Sequence, residues 1–202
     1  MNETMDTDFR ASVLKAAEDL IRERGAEGWS MADLAARSDQ PVEDLQAEFE
    51  SEWEVFCLTI RRDEERWESA IREASYKDAK ERVMCLLEAC VPDYDWSFWI
   101  ELWSAALREE RARQLRDELD QRFRALVEEI VQHGVDTGEF VVDDVRSTAV
   151  TIGTLIDAMA LQATLGDTTV RPNYMFDACV AVSSALLGTQ LTMPKRTEPE
   201  GG

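Results

Sequence analysis

The chain has 202 residues, with 42 acidic and 22 basic side chains, and its formal net charge is −20. This length suits one compact core or a small lobe plus a larger one. Hydrophobic residues make up 45% and charged residues 32%, as in globular proteins, and no apolar run reaches the ~18 residues needed to cross a bilayer. The acidic N-terminus lacks the pattern of a secretion signal, so the chain is expected in the cytoplasm.

The sequence contains no recognisable set of catalytic or metal-binding residues. Its only histidine, His133, has no nucleophile motif beside it, and there is no CxxC pair or glycine-rich phosphate loop. The cysteines lie in apolar helical patterns, which favours buried reduced thiols over a metal or redox site: Cys57, Cys85, Cys90 and Cys179. We therefore expect no catalysis, no metal and no cofactor.

Hydrophobic spacing predicts an all-α protein, because nearly every periodic segment repeats at helical intervals. The first predicted helix has an apolar stripe made of Phe9, Val13, Ala17, Leu20 and Ile21. Gly25 suits the C-terminal cap of this helix, Ser30 suits the N-cap of a second helix, and Pro41 fits the first turn of a third. Three short helices of this size are typical of a helix-turn-helix module.

Longer helices are predicted for the rest of the chain. One begins near Trp53, and the others cover about residues 78–91, 96–109, 115–134, 145–165 and 174–187. Pro92 and Gly134 are expected to end two of them. Residues after Gly188 are expected to form a frayed tail.

Three segments near the N-terminus resemble the DNA-binding module of the tetracycline-repressor (TetR) family: residues 13–25, 30–37 and 49–56. Residues 96–187 are similar to the C-terminal domains of the subgroup named for the choline-responsive betaine regulator. The resemblance implies a helix-turn-helix domain at residues 1–52, a ligand-binding and dimerisation domain at 53–188, and a flexible tail at 189–202. In that family the first three helices bind DNA, and the last two build a symmetric dimer.

Positions that contact DNA in the family correspond here to Ser30, Arg37, Val42, Glu43, Asp44, Gln46, Ala47 and Glu52. Their chemistry departs from the family pattern. Asp39 replaces a turn glycine, Pro41 a capping serine, and Glu52 a lysine. The whole stretch 39–54 carries seven carboxylates and no Lys or Arg.

Three interpretations of this acidic module stay open. It could retain sequence-specific DNA binding, aided by Arg10, Arg37 and a dimer's doubled interface; it could bind a basic protein partner instead; or its acids could be an adaptation to high salt. A carboxylate about 6 Å from a phosphate is repelled by ~0.7 kcal/mol in water. Several such pairs are comparable with the ~5–8 kcal/mol that nonspecific DNA binding supplies.

A tryptophan-rich helix suggests a ligand pocket, although the same rings could simply form core. Trp96, Trp99 and Trp103 are spaced i, i+3 and i+7 on one helical face. The full candidate pocket comprises Met84, Tyr94, Trp96, Trp99, Trp103, Phe123, Asp157 and Met159. Because indole faces attract organic cations and Asp157 supplies an acid, a choline-like or polyamine inducer is expected.

The last two predicted helices contain small and apolar residues that suit a twofold interface. The candidate interface residues are Ile152, Gly153, Leu155, Ile156, Phe176, Val180 and Leu187. A monomer that buries these surfaces internally is the alternative. The resulting hypothesis is a noncatalytic, ligand-responsive homodimer that binds operator DNA. A protein of the same fold that contacts a protein target is the second hypothesis, and an enzyme acting on a small amine ranks below both.

Overall fold

The computed structural model describes residues 2–90 and 96–192, and within these ranges it contains helices and no strand. The helices are α1 (Asn2–Arg24), α2 (Met31–Ser38), α3 (Val42–Glu48), α4 (Glu52–Glu73), α5 (Ala79–Cys90), α6 (Ser97–Ala106), α7 (Glu110–Asp136), α8 (Val145–Thr164) and α9 (Pro172–Leu186). The all-α prediction is confirmed. The predicted stop at Pro92 and the end of the predicted tail, residues 193–202, lie outside the described residues.

The chain divides into two compact units. The first comprises Met1–Arg66 and Asp95–Leu119, and the second comprises Trp67–Tyr94 and Asp120–Gly202. Helices α4 and α7 therefore contribute residues to both units. The domain boundaries expected at residues 52 and 188 stay a prediction. None of the helices in the described ranges is long and apolar enough to span a membrane.

The first unit buries the apolar stripe of α1 against α2 and α3. Val13 and Leu20 of α1, Leu34 of α2 and Leu45 of α3 are all almost fully buried. Helix α1 ends as predicted at Gly25, whose φ of 78° is a left-handed conformation that glycine adopts without steric cost. This turn releases the chain into the short loop that leads to α2.

Helix α2 has a defined cap at each end. At its start the Ser30 hydroxyl accepts from the Asp33 amide, while the Asp33 carboxylate accepts from the Ser30 amide, which is a capping box. The predicted N-cap at Ser30 is therefore confirmed. At its end Asp39 adopts a left-handed conformation, with φ 55° and ψ 40°. Pro41 lies just before α3 as its N-cap instead of inside its first turn.

The second unit pairs α8 with α9 and fixes the loop after α7 on the start of α5. The Glu139 carboxylate in that loop accepts hydrogen bonds from the Ala79 and Lys80 amides at 3.1 and 3.4 Å. These are orphan donors at a helix N-terminus, where a carboxylate is also favoured by the helix dipole. The acidic loop thus has a structural role in capping α5.

Helix α7 does not end at Gly134, so that predicted boundary was wrong. The helix continues to Asp136. A Cβ at Gly134 would lie 2.0 Å from Cδ2 of Phe140, so this glycine provides room for the returning aromatic ring. The chain turns later, at Gly138, whose φ is 76°.

Candidate functional site

Helix α3 packs through one face and leaves the other open to solvent. Leu45 and the following Phe49 are buried against the rest of the first unit. The positions predicted to contact DNA lie on the opposite side: Val42 is half-buried, and Glu43, Asp44, Gln46 and Ala47 are exposed. Helices α2 and α3 therefore form the frame of a helix-turn-helix. Its second helix, α3, presents the predicted DNA-contacting side chains outward.

Arginines of the module are engaged with carboxylates. Arg37 donates to both carboxylate oxygens of Glu23, at 3.0 and 2.6 Å. This hydrogen bond lowers the pKa of Glu23 and raises the pKa of Arg37. Arg10 is paired with Glu48 of α3 through its Nε. A phosphate that approached Arg10 or Arg37 would therefore meet the negative charge of the carboxylate already paired with that guanidinium.

Two predicted DNA-binding positions also satisfy backbone amides at the start of α2. The Glu52 carboxylate accepts from the Met31 amide at 3.0 Å, and Ser30 is committed to the capping box. Each interaction satisfies amides in the first turn of α2 that lack intrahelical partners. Glu52, which takes the place of a lysine in the family, is therefore explained by a contact within the protein.

The acids of α3 are placed where the helix tolerates them best. Glu43 and Asp44 lie in its first turn, close to the positive end of the helix dipole. That interaction stabilises the short helix but leaves both side chains exposed. The outward face consequently combines small or uncharged side chains with two carboxylates, while Arg10 and Arg37 of the same module are paired with other carboxylates.

The three tryptophans of the candidate pocket come together in the first unit. Trp96 precedes α6 as its N-cap, and its ring centroid lies 6.5 Å from that of Trp103. Trp99 lies 6.3 Å from the same ring. Trp96 and Trp99 are buried, whereas Trp103 is half-buried. The predicted indole cluster therefore exists, with its accessible edge at Trp103.

The other candidate pocket residues belong to the second unit, apart from Tyr94, which lies outside the described residues. Met84 is buried, and Phe123, Asp157 and Met159 are half-buried. Phe123 lies 5.6 Å from Trp67 between ring centroids, and its Cε1 would be 3.1 Å from a Cβ at Gly153. This ring is therefore packed against α8. A single pocket formed by all eight residues stays a prediction.

The predicted dimer residues lie mainly on the inner side of α8 and α9. Ile152, Gly153, Ile156 and Leu187 are buried within the chain, and Leu155, Phe176 and Val180 are half-buried. A different set of α8 and α9 residues is solvent-exposed and uncharged: Val150, Thr151, Thr154, Ala158, Tyr174, Ala181, Val182 and Ala185. The dimer interface therefore stays a prediction, and sequence periodicity did not distinguish which faces of α8 and α9 are exposed.

A shallow cleft between α7 and α8, not anticipated from the sequence, has a volume of about 240 Å³. It is lined by Gln121, Arg124, Ala125, Glu128, Arg146, Ala149 and Val150. Arg124 within it is paired with Asp120 at 3.2 Å. Arg124 and Arg146 occur at positions typical of solvent-exposed helical residues, so the sequence alone provides no reason to predict a cleft there.

Burial keeps two of the thiols unreactive. Burial raises the pKa of Cys57 and of Cys179 to about 11, which keeps both protonated at neutral pH. Within residues 2–90 and 96–192 no group of three or more His, Cys, Asp or Glu side chains is placed to hold a metal ion.

A family model described as the C-terminal region of BetI-type transcriptional repressors matches residues 79–188, more than half of the chain. The chain belongs to the TetR family of transcriptional regulators, with a BetI-type C-terminal region. No curated protein sequence is significantly similar to it.

Solved structures of transcriptional regulators share the fold. A regulator from Saccharomonospora viridis in complex with choline is 22% identical, with a TM-score of 0.76 over 86% of this chain and 94% of that one. A TetR regulator from Haloarcula marismortui is 18% identical, with a TM-score of 0.78 over 92% and 100%. Reduced NemR from Escherichia coli is 15% identical, with a TM-score of 0.75 over 93% and 99%.

Proposed function

We propose that this protein is a homodimeric transcription regulator that binds operator DNA through α3 and responds to a small organic cation. The main support for this proposal is that the buried Leu45 and Phe49 anchor α3 while its opposite face is exposed to solvent. A helix held in this way within a helix-turn-helix is the element that enters the major groove. Membership of the TetR family supports the same assignment.

The side chains on the open face define what α3 can read. Val42 and Ala47 can contact the methyl group of thymine, and Gln46 can form two hydrogen bonds with adenine. Glu43 and Asp44 can accept from the N4 amino group of cytosine. Because Arg10 and Arg37 are paired with carboxylates, this recognition would rely on base edges more than on phosphates.

The dimer is proposed to form through the exposed uncharged surface of α8 and α9. Val150, Thr154 and Ala158 follow one face of α8, and Tyr174 and Val182 extend the surface on α9. The smaller side chains among them, Thr154 and Ala158, allow close helix approach. Self-association through the same patch on two protomers gives twofold symmetry, which a palindromic operator requires.

The inducer is proposed to contact the indole cluster of α6. Trp103 offers a half-buried ring next to Trp96 and Trp99, and indole faces attract quaternary ammonium groups by ~0.5–2 kcal/mol per contact. The regulator from S. viridis, which shares this fold, is in complex with choline. Choline is therefore the first compound to test, followed by other quaternary amines and polyamines.

Two binding measurements test this function. Fluorescence anisotropy with a duplex from the protein's own promoter region, between about 50 and 200 mM salt, should give saturable binding that unlabelled random DNA does not displace. Choline should quench tryptophan emission and change the DNA affinity. Random DNA competing as well as the promoter duplex would refute specific binding, and unchanged emission and unchanged melting temperature across the amine panel would refute the inducer.

The paired arginines favour a second candidate, in which the module binds a basic protein segment. With Arg37 held by Glu23 and Arg10 held by Glu48, Glu43 and Asp44 on α3 are left to attract a cation. A Lys- and Arg-rich peptide bound by the wild type but not by Glu43→Lys would support this function. Such binding together with absent DNA specificity would replace the first proposal.

A further inference from the structure

Helix α6 carries two different sets of side chains on opposite faces. Successive residues of an α-helix are rotated by about 100°, so Glu101 lies roughly across the helix axis from Trp99 and Trp103. Phe98 shares the Glu101 side. One face of α6 is therefore aromatic and suited to a ligand, while the other carries a buried ring and a carboxylate.

The Glu101 face contacts the end of α1. The Ala26 amide donates to the Glu101 carboxylate at 3.2 Å. At the preceding Gly25 a Cβ would lie 3.0 Å from Glu101 Oε1, so the left-handed glycine turn closely approaches this carboxylate. The half-buried Glu101 thus fixes the point at which α1 ends and the loop to α2 begins.

A second contact joins the same two helices. The guanidinium of Arg22 lies 5.4 Å from the ring centroid of Phe98, which is almost completely buried. Arg22 is also paired with the buried carboxylate of Glu18 at 2.5 Å. These contacts hold the last turn of α1 against α6 independently of the loop.

The loop fixed by Glu101 leads directly to the helix-turn-helix. Only three residues separate Ala26 from Ser30, the N-cap of α2, and the next amide, Met31, is held by Glu52. A shift of α6 would therefore reach the start of α2 through Glu101 and Ala26. This path lies within the first unit.

We propose that Glu101 is the positioning residue through which the tryptophan face of α6 controls the entry to the helix-turn-helix. The role rests on the proposed function, because it gives the aromatic face a ligand to respond to. Ligand contact at Trp103 displaces or tightens α6, the Glu101 bond to Ala26 transmits that change, and the N-terminus of α2 is ordered or released. Glu101 touches neither ligand nor DNA in this scheme.

Hydrogen exchange of the full-length protein tests the bond itself. Glu101→Ala should raise exchange of the peptide covering residues 25–38 about tenfold, as expected for loss of a hydrogen bond to a charged acceptor. Glu101→Gln keeps an acceptor and should restore most of the protection. Glu109→Ala, which removes an exposed carboxylate after α6, is the matched control and should leave this peptide unchanged.

A double-mutant cycle separates transmission from simple stability. Trp103→Ala alone should change exchange of residues 25–38 at least threefold, although its ring lies on the other face of α6, and the change should vanish in Glu101→Ala. No response to Trp103→Ala, or the same response with and without Glu101, would overturn the proposal. The cycle needs neither inducer nor DNA, so its failure is distinct from failure of the proposed function.

Discussion

Arg37 and Glu23 form a bidentate ion pair in which the guanidinium donates to both carboxylate oxygens, at 3.0 and 2.6 Å. The pair engages the guanidinium of Arg37, one of the positions predicted to contact DNA. It connects the C-terminal part of α1 with the last turn of α2. Arg10 is likewise paired with Glu48, one of the seven carboxylates of residues 39–54.

Releasing Arg37 should strengthen DNA binding. In Glu23→Gln the guanidinium loses its charged partner and becomes available for a phosphate, and one repulsive carboxylate disappears. We expect about a tenfold lower dissociation constant, which corresponds to ~1.4 kcal/mol. The logarithmic salt dependence should also become steeper by about one phosphate contact. Anisotropy titrations at several salt concentrations measure both quantities.

Glu27→Gln is the control for that experiment, since it removes an exposed carboxylate from the same lobe. It should change affinity much less than Glu23→Gln. Equal gains from the two variants would mean that only net charge matters. No gain from either would show that Arg37 does not reach DNA.

Asp39 is strained in a way that a glycine would relieve. Its φ of 55° lies in the left-handed region, which disfavours side chains other than glycine. Asp39→Gly should raise the free energy of unfolding by about 1 kcal/mol, measured by urea denaturation. Asp44→Gly makes the same chemical change inside α3, where it should instead destabilise by about 0.5–1 kcal/mol. A loss of stability in Asp39→Gly would contradict the strain.

The capping box of α2 should be sensitive to acid. Hydrogen bonds from Ser30, followed by those from Arg24, lower the pKa of Asp33 from 3.8 to about 2. Its stabilising contribution is therefore complete above about pH 4 and is lost as the pH falls through about 2. Asp33→Asn should have a lower melting temperature at neutral pH and a flatter dependence of stability on pH between these values. A pH dependence identical to that of the wild type would exclude the capping carboxylate as a contributor.

Charge on the exposed face of α8 should disrupt the dimer. Thr154→Arg places like charges opposite each other if two copies meet there, because a twofold interface brings the same patch together. Sedimentation velocity should then record a monomer at concentrations where the wild type is dimeric. Thr168→Arg, in the exposed loop after α8, should stay dimeric. A dimeric Thr154→Arg protein would place the interface elsewhere.

Local chemistry made the first helices predictable from the sequence. Ser30 followed by Asp33 specifies a capping box, and Gly25 supplies a left-handed turn, so both ends of the α1–α2 loop were identified correctly. The helix end predicted at Gly134 was wrong for a physical reason. The absence of a side chain at Gly134 makes room for the Phe140 ring and does not end the helix. This contact forms only when the turn after the helix brings Phe140 back onto it, so the helical pattern alone does not reveal it.

The candidate site was only partly predictable for the same reason. Periodicity placed Trp96, Trp99 and Trp103 in one cluster, as the structure has them. It could not assign the Glu52 carboxylate to the Met31 amide or the Glu101 carboxylate to the Ala26 amide, because these partners are distant in sequence. A carboxylate that occupies the position of a basic residue in a DNA-binding motif can thus have a partner that only the folded structure reveals.

Selection of bound fragments from genomic DNA, run in parallel for the wild type and for Gln46→Ala, determines whether α3 reads a DNA sequence. Selections should be repeated across about 50–200 mM salt, since affinity for DNA depends strongly on ionic strength. We expect the wild type to enrich one near-palindromic sequence and Gln46→Ala to weaken or alter that enrichment. Failure of the wild type to enrich any sequence at every salt concentration would contradict DNA reading by this protein.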